Sequence, residues 1–154
     1  MLSLTSNISR HTFHVIPSLL ACLLIVSCEI EMSDNGKLDA NWQLRQIDTL
    51  ATKGTCDMTY SAIYWGIEND VLQVRDIDNS NLKLLFRFKH QGDSLIISQP
   101  YHVITKDKLE ALENDSLLRP LGICGTEEHF LIEQLSGSNL TLKSPIFRLR
   151  FTKY

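Results

Sequence analysis

Basic residues are in the minority in this chain. There are 15 Lys and Arg against 18 Asp and Glu, for a net charge of −3. A nucleic-acid binder needs a basic face to pair with phosphates, and this balance argues against one. Glycine and proline are sparse, 7 and 4 in 154 residues, and no repeat or low-complexity segment is present. No apolar run reaches the roughly 20 residues that span a bilayer as a helix. There is no Gly-x-Ser-x-Gly, no phosphate-cradling Gly-rich loop and no dinucleotide fingerprint. These absences point away from an enzyme, and nothing signals a cofactor. What remains is 44% hydrophobic and 21% charged residues, ordinary for one globular domain.

The first segment reads as an address. Arg10 supplies positive charge, and Val15 to Val26 is an apolar run of 12 residues broken by Pro17 and Ser18. That length suits a signal sequence and is short for a membrane span. The run ends in Ile25-Val26-Ser27-Cys28, which resembles the lipobox of bacterial lipoproteins. The resemblance implies cleavage before Cys28 and a lipid on its thiol. Residues 1–27 are then the signal peptide. Removing them removes one base, leaving 14 bases against 18 acids, a net −4. Residues 28–40 carry Glu29, Glu31, Asp34 and Asp39 against Lys37 and read as an acidic, flexible tether. Acids just after the lipidated cysteine also resemble an export signal to the outer face. The expected address is the cell envelope, with the lipid anchored in the outer membrane and the domain either periplasmic or surface-exposed.

From 41 to 154 the hydrophobic pattern has mostly period two, the mark of half-buried strands. Strands are expected over Asn41–Ile47, Met58–Ile67, Val71–Ile77, Lys83–His90, Ser94–Ser98, Glu128–Leu135, Asn139–Lys143 and Ile146–Tyr154. Lys83–His90 is the clearest, with Leu84, Phe86 and Phe88 on one face and Lys83, Leu85, Arg87 and Lys89 on the other. Leu109 and Leu112 share helical spacing, so Thr105–Glu113 reads as one short helix. Leu118 to Ile123, with Pro120 and Gly122, reads as a packed loop. Eight short strands with tight turns predict an all-β, antiparallel, up-and-down barrel, because closure removes exposed edges.

Ala40-Asn41-Trp42 resembles the Gly-x-Trp of the first strand in lipocalin-type barrels, with alanine in place of the glycine. Further short matches are Ile63-Tyr64-Trp65, Leu72-Gln73, Arg87-Phe88-Lys89-His90, Ile132-Glu133-Gln134-Leu135 and the closing Leu149 to Tyr154. With the Leu118 to Ile123 stretch, their order is similar to a family of small lipocalin-like lipoproteins of gut-type anaerobic bacteria. That resemblance implies a lipocalin-like barrel and an envelope address. It implies no particular activity.

Aromatic residues are the feature with ligand-binding potential. Trp42, Tyr60, Tyr64, Phe86, Phe88, Phe147 and Phe151 are expected to line or to fill the barrel. Eight strands enclose a space that side chains can pack or that one small ligand can occupy. On the parity of Met58, Tyr60, Ala62, Tyr64 and Gly66, small residues between tyrosines would leave room for an apolar or amphipathic ligand. The competing expectation is a packed barrel that meets a protein or glycan through its outside. Cys56 and Cys124 remain after processing, in a compartment where a disulfide between them is chemically allowed. His90, His102 and His129 lack metal-ligand spacing and read as exposed strand or loop residues. Asp76-Ile77-Asp78-Asn79-Ser80 opens like a calcium loop but has Asn81 at the sixth position and Arg87 at the twelfth, so a hairpin turn is expected.

Overall fold

The computed structural model describes residues 35–79 and 82–154. The expected signal peptide, Cys28 and the tether as far as Asp34 lie outside them. Among the described residues ten strands follow one another: β1 (Ala40–Thr49), β2 (Gly54–Asp57), β3 (Ile63–Glu68), β4 (Val71–Asp76), β5 (Leu82–Gln91), β6 (Ser94–Thr105), β7 (Lys108–Ala111), β8 (Glu127–Leu135), β9 (Asn139–Lys143) and β10 (Phe147–Lys153). Eight of them form a closed antiparallel ring in the order β1, β3, β4, β5, β6, β8, β9, β10, with β10 returning to β1. This is the expected eight-stranded up-and-down barrel. The other two are flaps: β2 pairs with the far half of β1, and β7 with the far half of β6.

The alternation that predicts the strands also builds the core. Ile63, Trp65 and Ile67 of β3 point inward, as do Leu72 and Val74 of β4. From β5 come Leu84, Phe86 and Phe88, with Arg87 and Lys89 outside, as its pattern predicts. The register carries each inward residue to an inward partner, as in Leu72 opposite Phe86 and Trp65 opposite Val74. Register shifts in β1, β5, β6 and β8 turn the strands around the ring.

One end, here the floor, holds the β3–β4, β5–β6 and β8–β9 turns. A 3-10 turn, Gly36–Leu38, precedes β1 there. Leu38 is wholly buried, and its carbonyl accepts a hydrogen bond from Trp42 Nε1 at 2.8 Å. Residues 36–40, expected as the end of the tether, are therefore part of the barrel floor.

The opposite end, the mouth, holds the long connections. The expected helix at Thr105–Glu113 is instead the β6–β7 hairpin, in which Leu109 faces Val103 across the ladder. Backbone pairing to β6 outweighs the helical spacing of two leucines. The short helical pieces lie just after it, as 3-10 turns at Asp115–Leu117 and Arg119–Leu121. They fold the packed loop into the mouth, where Leu118, Leu121 and Ile123 are all but fully buried. Gly122 sits between them at φ +80°, a conformation that costs a residue with a Cβ ~1–2 kcal/mol.

Candidate functional site

The interior is filled. Trp42, Trp65, Phe86, Phe130 and Phe151 are at most 2% exposed, and the loop at the mouth adds Leu118, Leu121 and Ile123 from above. Trp65 is wedged between Phe151, 5.1 Å away centroid to centroid, and Phe130, 5.9 Å away and edge-on. Its Nε1 is buried without a hydrogen-bond partner among the described residues. A buried donor left so costs about 1–3 kcal/mol.

Five of the seven aromatic residues expected inside do point inward. Trp42, Phe86, Phe88 and Phe151 are buried, and Phe147 is half-buried at the mouth. Two do not. Tyr60 is 96% exposed, in the loop before β3. Tyr64 lies on the outer face, its ring 5.1 Å from that of Tyr154 and the Arg75 guanidinium 6.0 Å above it. The strand starts at Ile63, after a turn in which Ser61 N–H donates to Met58 O, so the parity of Met58 does not carry into it. Ile63, Trp65 and Ile67 take the inside; Ala62 precedes the strand and Gly66 lies outside.

Two carboxylates share the inward parity, which the sequence reading passed over. Asp76 continues Leu72 and Val74, and Glu128 precedes Phe130. Both are buried near the mouth. Asp76 Oδ1 accepts the Asn79 N–H, and Glu128 Oε2 accepts the Cys124 N–H at 2.8 Å, pinning the end of the plugging loop. The disulfide that the compartment allows is not present: Cys56 and Cys124 are free thiols in this structure. Cys56 is exposed on the β2 flap with its Sγ 3.5 Å from Met58 Sδ, whereas Cys124 follows the plugging loop. Burial pushes the Cys124 thiol up, and the Glu128 carboxylate adds to this, which disfavours the nucleophilic thiolate.

His90 and His129 are bound locally, to Gly92 O and Glu127 Oε1, and His102 sits half-buried opposite Leu84. Among the described residues no three His, Cys, Asp or Glu side chains are grouped as a metal site.

The large concavities described lie outside the barrel. One groove of about 570 Å³ crosses the outer faces of β1, β3, β4 and β5, lined by Asn41, Gly66, Glu68, Asp70, Gln73 and Leu85 among others. The ladder aligns its floor. Asn41 pairs with Gly66, Gly66 with Gln73, and Gln73 with Leu85. Gly66 makes room for the Asn41 side chain: a Cβ there would stand 2.9 Å from Asn41 Oδ1. Arg87 pairs with Asp70 at the rim. A second groove of about 430 Å³ shares Val71 and Leu85 and continues to Tyr101 and Leu109.

A closed eight-stranded antiparallel barrel with a 3-10 turn and a tryptophan sealing one end defines a small barrel of the lipocalin type. The sequence matches the family described as Lipocalin-like domain over residues 22–154, and the chain belongs to that family. Its fold is similar to the crystal structure of a lipocalin-like protein from Bacteroides uniformis, at 17% identity and a TM-score of 0.59, covering 77% of this chain and 100% of that one. An uncharacterized protein from Bacteroides eggerthii is similar at 15% identity and a TM-score of 0.49, covering 75% of this chain and 98% of that one. No curated protein matches the sequence.

Proposed function

We propose that this protein is a lipid-anchored, non-catalytic module of the cell envelope whose barrel is a filled, rigid body acting through its outer surface. The filled interior carries this reading. Aromatic rings occupy the barrel from the floor upward and the Leu118–Ile123 loop plugs it from the mouth, whereas the grooves with room for a ligand are outside. The anchor rests on the Ile25-Val26-Ser27-Cys28 motif. Cys28→Ala is expected to abolish fatty-acid labelling and membrane retention; a variant that still labels removes the anchor from the proposal.

A second reading keeps the interior as a cup for a small apolar or amphipathic ligand. The unpartnered Trp65 Nε1 favours it, because an acceptor on an entering ligand would satisfy that donor. Entry would require the plugging loop to leave. Titration of the full-length protein in mild detergent with a fluorescent fatty acid, read as quenching of Trp42 and Trp65, separates the two. A filled barrel gives no saturable quenching. Stoichiometric quenching, with the stabilisation that ligand binding confers, establishes the cup instead.

A further inference from the structure

We propose that the outer groove over β1, β3, β4 and β5 is a binding site for a neutral oligosaccharide. The inference rests on the reading that the barrel acts through its outside.

The floor of the groove is a lateral row of Asn41, Gly66, Gln73 and Leu85, one residue from each of four neighbouring strands, and Tyr101 of β6, opposite Leu85, carries the row into the adjoining groove. Strands stand ~4.8 Å apart, so the row runs about 19 Å, enough for a short chain of sugars. Among the described residues neither the Asn41 nor the Gln73 side-chain amide makes a hydrogen bond. A primary amide offers two donors and a carbonyl acceptor in one plane, which matches adjacent sugar hydroxyls that both donate and accept. Gly66, with no side chain, leaves room for the Asn41 amide to lie over the sheet, its Oδ1 only 2.9 Å from where a Cβ would stand. Tyr101, 37% exposed at the far end of the row, offers a flat apolar face with a polar tip, suited to the CH face of a sugar.

Charge narrows the class. Asp39, Glu68 and Asp70 line the groove, and Arg87 is already paired with Asp70. An acidic glycan would meet repulsion there, so a neutral one is favoured. A protein partner would call for an apolar centre with aromatic anchors. The middle of this groove is amide and bare backbone instead. The comparable groove near Arg45, Gln134 and Arg150 is less suited, because its polar groups are committed: Arg45 to Thr59 O, Arg150 to Asp48 and Thr141 to Gln134.

The test uses the full-length protein in detergent, titrated calorimetrically with neutral gluco-, manno- and xylo-oligosaccharides and with acidic galacturonate oligomers. Saturable binding of a neutral series is expected, weakened at least tenfold by Asn41→Ala, Gln73→Ala or Tyr101→Ala in proteins that melt like the parent. Gly66→Gln should block binding by filling the floor. Failure of every neutral series, preference for the acidic oligomers, or unchanged affinity in the folded Gln73→Ala variant would overturn the proposal. A photo-cross-linker at Gln73 that couples to a protein in intact cells, where the glycans fail, rejects the glycan and leaves the outer-surface reading standing. Fatty-acid uptake into the barrel rejects that reading itself.

Discussion

Replacing Gly122 by alanine tests how tightly the loop plugs the barrel. The new Cβ would overlap Leu149 Cδ2 and stand 3.1 Å from Cδ1 and 3.3 Å from Cγ. Leu149 is completely buried, so its end cannot swing into solvent. Overpacking of this kind costs ~1–3 kcal/mol. The left-handed backbone, φ +80°, adds ~1–2 kcal/mol for any residue with a Cβ. Together the expected loss is about 3 kcal/mol, which moves a urea midpoint by about 2 M at a slope of ~1.5 kcal/mol per M. A double-mutant cycle with Leu149→Ala separates the two costs. In that background the clash is gone and Gly122→Ala should cost only ~1–2 kcal/mol, so the pair should be coupled by more than ~0.5 kcal/mol. A Gly122→Ala protein within ~0.5 kcal/mol of the parent would mean that the loop is not seated against Leu149, and the filled barrel would fall with it.

Other substitutions probe the wall and the floor. Phe86→Ala should cost ~3–5 kcal/mol by leaving a cavity, whereas Arg87→Ala, an exposed ion-pair partner of Asp70, should stay within ~0.5 kcal/mol; equal losses in urea melts would refute the inward parity of β5. Trp42→Phe removes the hydrogen bond to Leu38 O and should cost ~1–3 kcal/mol by thermal denaturation, with the fold retained. The Arg148 guanidinium, bonded to both Glu133 oxygens at 2.6 and 3.0 Å, holds that carboxyl below its usual range. Burial works against the Asp48 carboxyl, but hydrogen bonds from Gln46 and Thr55 and the charges of Arg150 and Arg148 outweigh it and lower this group too. Between the folded and unfolded values the unfolded chain binds more protons, so stability should be full above the ordinary carboxylate range and fall as pH drops through the lowered values. Glu133→Gln should flatten that acid limb in denaturation curves taken between pH 5 and pH 2; an unchanged limb would remove Glu133 from it.

The strands that alternate cleanly were legible from sequence. Lys83 to His90 shows a charged face against an apolar one, and in the barrel the two faces fall outside and inside as the pattern requires. Ile63 to Ile67 was ambiguous because both parities are apolar or aromatic. A tyrosine can also pack on an outer face, as Tyr64 does edge-on against Tyr154. The inward run Ile63, Trp65, Ile67 was the better signal, since Glu68 ends the opposite parity. The β2 flap, Gly54-Thr55-Cys56-Asp57, has no apolar alternation to announce it and exists through its pairing with β1. β7, Lys108-Leu109-Glu110-Ala111, does alternate, but it is only four residues long and all of them are exposed. The outer groove was invisible for a related reason. Asn41, Gly66, Gln73 and Tyr101 are scattered along the chain and meet only once the register is known.

The seam between β1 and β10 sets an order on the life of this chain. Asp48 meets Arg150 across 102 residues of sequence, and the final strand completes the ring. Contacts this distant form late, because the intervening chain must first be gathered. Until the last residues are available, β1 and β9 each present an open edge, the kind of template on which chains stick to one another. A chain cut short before Phe147 would keep nearly all of its hydrophobic residues and still lack a way to close. Loss of the C-terminal strand would therefore be felt first as aggregation, well before any function could be measured.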